Sequence, residues 1–140
     1  SKSRCLTNPF KAGIESWRKA IPGLSNIFHD DEAMDELLND SKWENDFPNL
    51  KYFLQCVNHA DMPVMKADVW RYLIVWENGG IYSDLDNRPD VRFDNLTIRE
   101  DDDAFFTIDR MTGTISQYFF AASPRHPILY NAVHYAIDTV

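Results

Sequence analysis

The residues best placed to do chemistry are Asp84 and Asp86, in the stretch NGGIYSDLDNRPD at 78–90. The two carboxylates are one residue apart and directly follow a short apolar step, where like charges repel and loss of water is costly. A positive group is therefore expected to meet them. Hard divalent ions such as Mg2+ or Mn2+ take oxygen ligands from one or two carboxylates together with phosphate, so metal-bridged diphosphate binding explains the pair. In an extended segment Tyr82, Asp84 and Asp86 point to one side and Ile81, Ser83 and Leu85 to the other, which puts one ring and two carboxylates on a common face.

Asp-x-Asp alone is unspecific, and the same spacing recurs at Asp101 and Asp103 in an acidic run that reads as a solvated loop. Upstream, Asp68 and Arg71 are i and i+3 neighbours on a largely apolar helix. Spacing leaves two readings open for them: an intrahelical salt bridge, or a grip on sugar hydroxyls in which the carboxylate accepts and the guanidinium donates. His29, His59, His126 and His134 lack metal-ligand spacing and read as structural or surface residues, with His126 as local architecture. Trp17, Trp70 and Trp76 lie on apolar helical stripes and read as core. Glu77 and Arg88 flank the motif without an assignable role.

The elements that position these residues alternate. Helices are expected over 13–23, from His29 to Asp40 with acids in its first turn, over 48–58 with Pro48 at its start, and from Val64 to a cap at Asn78-Gly79-Gly80. Strands are expected over 24–28, Ile81 to Leu85, Ala104 to Ile108 and Gln117 to Ala122, and a last helix runs from His126 onward. The connector RFDNLTIREDDD is acidic and rich in turn formers. This alternation predicts an α/β sandwich with a mainly parallel sheet, in which ligands bind beyond the carboxyl ends of the strands.

At 140 residues with 44% hydrophobic content the chain suits a single domain with its own core. A net charge of −8 argues against nucleic acid or an anionic membrane surface as a partner, since both require a basic face. The sequence has no run of about 18–20 apolar residues and its opening SKSRCLTNPF is not a signal peptide, so any anchor or address is expected outside this chain. Cys5 and Cys56 permit one disulfide, but their spacing does not distinguish it from two thiols.

KADVWRYLIVWENGGIYSDLD at 66–86 resembles the sugar-binding region of glycosyltransferases that carry a DXD motif: Asp, two residues, Arg-Tyr, a hydrophobic helix, Gly-Gly-hydrophobic-Tyr, then Asp-x-Asp. The likeness extends to the family 32 fungal initiating α-1,6-mannosyltransferases and more distantly to the clostridial glucosylating toxins. SWRKAIPGLSNIFHDDEAM and YFFAASPRHPILYNAV resemble the flanking family segments. The resemblance implies a GT-A nucleotide-binding fold, truncated here at both ends, because the family's Ile-Pro-Lys-x-Ile-His-like first strand and its acceptor region have no counterpart in 1–140. It implies that Asp84 and Asp86 hold a divalent ion (Mn2+ or Mg2+) and the donor diphosphate, with Asp86 ahead of Asp84 as direct metal ligand. Asp68 and Arg71 would contact the donor sugar, Tyr82 would line the pocket, and Asp68 would support the developing positive charge on the sugar. The implied activity is metal-dependent, retaining hexosyl transfer, by analogy mannose from GDP-mannose with UDP-sugars next, onto a glycan or other acceptor. The alternative expectation is an inactive subunit that keeps the fold and binds other protein subunits of a larger assembly. For an active eukaryotic member the resemblance implies the Golgi lumen.

Overall fold

The computed structural model describes residues 7–89, 99, 101–109 and 111–139. In chain order the elements are α1 (Asn8–Ala20), α2 (Asp31–Leu38), one 3-10 turn (Ser41–Trp43), α3 (Leu50–His59), α4 (Pro63–Asn78), β1 (Gly80–Ser83), β2 (Ala104–Ile108), β3 (Ile115–Ala122) and α5 (Pro127–Asp138). Their ends follow local chemistry. α1 starts earlier than its apolar stripe, with proline in the first turn, and closes with Arg18 and Lys19 where the helix dipole favours cations. In α2 the Asp30 carboxylate accepts from the Ala33 N–H at 3.1 Å, and Asp31 and Glu32 occupy the first turn. α3 begins at Leu50, after Pro48 rather than on it. His126 caps α5, its Nδ1 accepting from the Ile128 N–H at 3.2 Å, which fulfils its reading as local architecture.

The sheet differs from the sequence expectation. Its order is β1-β3-β2, and both pairings are antiparallel, so the mainly parallel sheet is not found among the described residues. Two causes account for the difference. Residues 24–28 form no strand, which removes one presumed β-α-β unit. β2 and β3 are also joined by only the short connection 109–114, and a parallel crossover needs a dozen residues or more. The described residues of that connection form a turn. The Asp109 carboxylate accepts from the Met111 N–H at 2.7 Å, the Asp109 N–H donates to the Thr114 carbonyl at 2.9 Å, and Gly113 takes φ of 71°. Most of the acidic connector at 92–103 lies outside the described residues.

Each face of the sheet carries an aromatic cluster. On one face the register aligns Tyr82 and Phe106 with Phe120, with ring centroids 5.3 and 6.1 Å from the central ring. Phe120 is 1% exposed and joins Val69, Leu73 and Trp76 of α4 and Leu129 and Val133 of α5 in a single core, extended by Phe47, Phe53 and Trp43. On the other face Phe119 stacks on Trp17 of α1 at 5.1 Å and meets Phe105 edge-on at 5.8 Å. Trp17 and Trp76 are core residues as expected, and Trp70 is half-buried. Among the described residues no helix is long and apolar enough to cross a membrane. Cys56 is a half-buried free thiol, and Cys5 lies outside the described residues.

The corner between α4 and β1 is held against the corner between β3 and α5. The Arg125 N–H donates to the Trp76 carbonyl at 2.6 Å, and its guanidinium lies 3.9 Å over the Trp76 ring. Gly79 has φ of 68°, and a Cβ there would meet Pro124 Cδ at 2.7 Å. Gly79→Ala is expected to lower stability in urea denaturation by about 2–4 kcal/mol, combining backbone strain with overpacking. Gly80→Ala meets strain but no neighbour within 4 Å, and is expected to cost less.

Candidate functional site

α4 and β1 bring three of the expected site residues to one buried cation. Arg71 is 9% exposed. Its Nη2 reaches Asp68 Oδ1 at 2.8 Å, its Nη1 donates to the Gln117 carbonyl of β3 at 2.9 Å, and the same Nη1 lies 3.8 Å from Asp84 Oδ1. The guanidinium also lies 5.1 Å over the Tyr82 ring. Tyr82, packed on Phe120, donates its phenol proton to Asp84 Oδ1 at 2.6 Å. Tyr82 and Asp84 therefore share a face, as alternation along a strand requires.

Asp86 does not share that face. β1 ends at Ser83, the Asp84 N–H makes one further bond to the Tyr118 carbonyl at 3.0 Å, and the chain then turns. The Asn87 N–H closes this turn on the Asp84 carbonyl at 3.1 Å. Asp86 occupies the turn, is exposed, and has no ion pair or hydrogen bond among the described residues. The expected alignment of Tyr82, Asp84 and Asp86 therefore holds for the first two only, because strand geometry stops before Leu85. The positive group expected opposite the carboxylates also takes a different form. For Asp84 it is Arg71 of the same chain, while Asp86 is exposed and meets no positive group among the described residues.

For Asp68 and Arg71 the ion pair forms, and it is more than a surface helix pair, since the cation is buried and tied to β3. Burial raises the Asp68 carboxyl above its ordinary value of 3.8; Arg71 lowers it, Asp84 raises it, and a hydrogen bond from Gln117 lowers it. Burial outweighs the ion pair here. In Tyr82, burial followed by the hydrogen bond to Asp84 pushes the phenol well above the ordinary tyrosine range, so it stays protonated and able to donate. Tyr72, also raised by burial, donates to Gln117 Oε1 at 3.2 Å.

The donor set suits Mn2+ or Mg2+ held partly by protein and partly by phosphate. It offers one exposed, unpaired carboxylate two positions along the chain from a second whose Oδ2 remains outside the Tyr82 bond. No cluster of three or more His, Cys, Asp or Glu is gathered among the described residues, so the fit is to a shared site rather than an all-protein cage.

The remaining candidates take structural places. Asp101 pairs with Arg99 on the surface, and Asp103 accepts from Ser123 Oγ and faces His126 Nε2 at 3.4 Å. Glu77 pairs with Lys42, and Arg88 donates to the Pro9 carbonyl. His29 packs edge-on to Trp70, its pKa lowered by burial, and His134 Nε2 lies 3.0 Å from the Asp46 carbonyl. Tyr72, Gln117 and Asn87 were not singled out from the sequence. Tyr72 directly follows Arg71 and Asn87 directly follows Asp86, so proximity could have flagged both. Gln117 comes from a distant strand, and no local pattern marks it.

A helix-borne Asp-Arg pair facing a strand-borne Tyr-Asp pair, beside an exposed Asp, is the arrangement of a polar ligand site on an α/β scaffold. The chain belongs to the family described as glycosyltransferase sugar-binding region containing DXD motif, which matches residues 7–103. It is similar to the initiation-specific alpha-1,6-mannosyltransferase of Schizosaccharomyces pombe, with 30% identity covering 87% of this chain and 34% of that protein. It is also similar to inositol phosphoceramide mannosyltransferase 1 of the same yeast, with 28% identity covering 86% and 35% of the two chains. A third relative is mannosyl phosphorylinositol ceramide synthase CSH1 of Saccharomyces cerevisiae, with 30% identity covering 80% and 27%. The chain thus spans about a third of the length of the curated relatives it matches. No solved structure matches it.

An NMR titration of the Asp68 carboxyl carbon is expected to give a midpoint above 3.8, moving up in Arg71→Met and down in Asp84→Asn. Because the folded value exceeds the unfolded one, the contribution of Asp68 to stability is fully present in acid and is lost as pH rises through that midpoint. Breaking a buried pair costs about 3–5 kcal/mol, and Asp68 keeps 27% of its side chain in water, so Arg71→Met is expected to lose about 3 kcal/mol in denaturation at neutral pH. Arg71→Lys should not restore it, since an ammonium cannot copy the planar fork.

Proposed function

We propose that this chain carries the donor-sugar site of a metal-dependent, retaining glycosyltransferase with a GT-A-like fold, moving mannose from a nucleotide sugar to a glycan or glycolipid acceptor. The observation that carries the reading is the joining of Asp68, Arg71, Tyr82 and Asp84 into one network beside exposed Asp86, inside the segment that matches the family. The mannose assignment rests on relatives whose names are those of mannosyltransferases or a mannosyl-lipid synthase. GDP-mannose is the first donor to test, with UDP-sugars next.

In this reading Asp86 is the principal metal ligand, because its carboxylate is accessible and has no partner among the described residues. Asp84 supplies the second carboxylate, held in one orientation by the Tyr82 phenol and partly neutralised by Arg71. Asp86 and Asp84 would hold a divalent ion, which would supply Lewis-acid stabilisation of negative charge on the departing diphosphate. Asp68 faces the sugar, where its carboxylate accepts hydroxyl protons and its field favours positive charge developing on the ring. Arg71 acts chiefly through Asp68 and Asp84, since it is buried with Nη1 on the Gln117 carbonyl and Nη2 on Asp68.

A second reading, a non-catalytic subunit that keeps the fold, is favoured by one feature. Arg71 already lies 3.8 Å from Asp84, so a positive group meets that carboxylate without a metal.

Thermal melting with Mn2+ plus GDP, GDP-mannose or UDP distinguishes the two, because a ligand that binds the native state raises the midpoint by mass action. The expected result is a metal-dependent rise with a guanine nucleotide that disappears in Asp86→Ala. Asp84→Asn or Asp86→Asn is expected to lower donor hydrolysis by about two orders of magnitude or more while the fold persists. No shift with any nucleotide would favour the non-catalytic reading.

A further inference from the structure

The carboxylate with the fewest protein contacts is the one assigned to the metal. Asp86 has no side-chain partner among the described residues, so its direction is inherited from the backbone of the turn that carries it. What holds that turn is Asn87, which bonds to three separate parts of the molecule. Its N–H closes the turn on the Asp84 carbonyl at 3.1 Å. Its side-chain Nδ2 donates to the Tyr118 carbonyl of β3 at 2.7 Å, and its own carbonyl accepts from the Trp17 indole N–H of α1 at 3.2 Å. The Tyr118 carbonyl also accepts from the Asp84 N–H at 3.0 Å, so one oxygen on β3, with both lone pairs used, references both ends of the motif.

α1 is set close enough to act as a splint. Gly13 faces the turn, and even a Cβ there would lie only 3.5 Å from the Leu85 carbonyl and 3.8 Å from that of Asn87. The Trp17 ring is held by its stack on Phe119, the residue that follows Tyr118, and Arg88 adds a bond to the Pro9 carbonyl of α1 at 3.2 Å. The sheet face opposite the Arg71 network thus supports the turn from behind, through groups that stay outside the ion site.

We propose that Asn87, seconded by the Trp17 indole, is a positioning residue that presents the Asp86 carboxylate for divalent-metal binding. This rests on the donor-site reading above. An exposed aspartate on a loose turn would have to be ordered by each incoming ion, and the Asn87 bonds meet that cost in advance. Groups that orient a metal's ligands typically alter its affinity about 10–100-fold when removed.

The test is the dissociation constant of Mn2+ in the presence of GDP, read from the electron paramagnetic resonance signal of free Mn2+, with a melting curve for each protein. Wild type, Asp86→Ala, Asn87→Ala and Trp17→Phe are compared below their melting transitions. Trp17→Phe keeps an aromatic ring against Phe119 while removing the indole donor together with part of the ring, so it carries the test if Asn87→Ala fails to fold. The expected result is loss of binding in Asp86→Ala, binding about tenfold weaker in Asn87→Ala and a smaller weakening in Trp17→Phe. A purely structural role would lower melting temperatures and leave the Mn2+ constant of the folded variants within twofold of wild type. That outcome overturns the positioning role while leaving the donor site intact. No Mn2+ binding by wild type, or equal binding by Asp86→Ala, would instead overturn the donor-site reading and this inference with it.

Discussion

A buried guanidinium organises this molecule's polar centre. Arg71 emerges from a largely apolar helix into the space between α4 and the sheet, where an uncompensated charge would be costly. Three neighbours make its burial tolerable: Asp68 one turn back on the same helix, the Gln117 carbonyl on β3, and Asp84 at the end of β1. Helix and sheet are thereby locked in register by a polar contact that tolerates no sliding, while Phe120 and Leu73 supply the non-directional attraction around it. The geometry of Asp84 depends on this contact, and so does the environment of Asp68, where burial prevails over the attraction of the ion pair.

The two faces of the small sheet divide the work. Phe119 and Phe120 are consecutive and point to opposite sides. Phe120 gathers Tyr82 and Phe106 into a row against α4 and α5, which places the Tyr82 phenol beside Asp84. Phe119 receives Trp17, whose indole continues to the Asn87 carbonyl and so to the turn carrying Asp86. The two carboxylates of the motif are consequently fixed by different means. Asp84 is held directly by side chains, whereas Asp86 is held through the backbone and left open to solvent. In the proposed donor site this would pair one restrained ligand with one accessible ligand.

Membership in a family of sugar-binding glycosyltransferase regions gives this division a chemical context. The matched region, residues 7–103, includes α1 with Trp17, α4 with the Asp68-Arg71 pair and the whole of the turn, while β3 and α5 lie beyond it. β3 nonetheless supplies the Gln117 and Tyr118 carbonyls to which both halves of the site are referenced. The local site thus depends on a strand outside the matched region.

Local chemistry was sufficient to read much of the chain. α4, β2 and the Gly79 stop follow from periodicity and glycine chemistry, and the Asp68-Arg71 contact follows from helical spacing, because each depends on neighbours within a few residues. What the sequence could not convey is long-range. The strand expected at 24–28 did not form, and the turn at 109–114 made the sheet antiparallel, since apolar alternation marks extended chain without specifying its partner. Asp86 left the face of Tyr82 and Asp84 because the strand ended at Ser83, and Arg71, which spacing could place only beside Asp68, proved to serve Asp84 as well. The amino-acid sequence by itself determined the helices, the motif and the aromatic residues available to the core. Tertiary structure alone decided which charge compensates which, because only the packing of α4 and β3 around β1 brings Arg71 and Asp84, on different elements, within reach in a medium where an unpaired charge is costly.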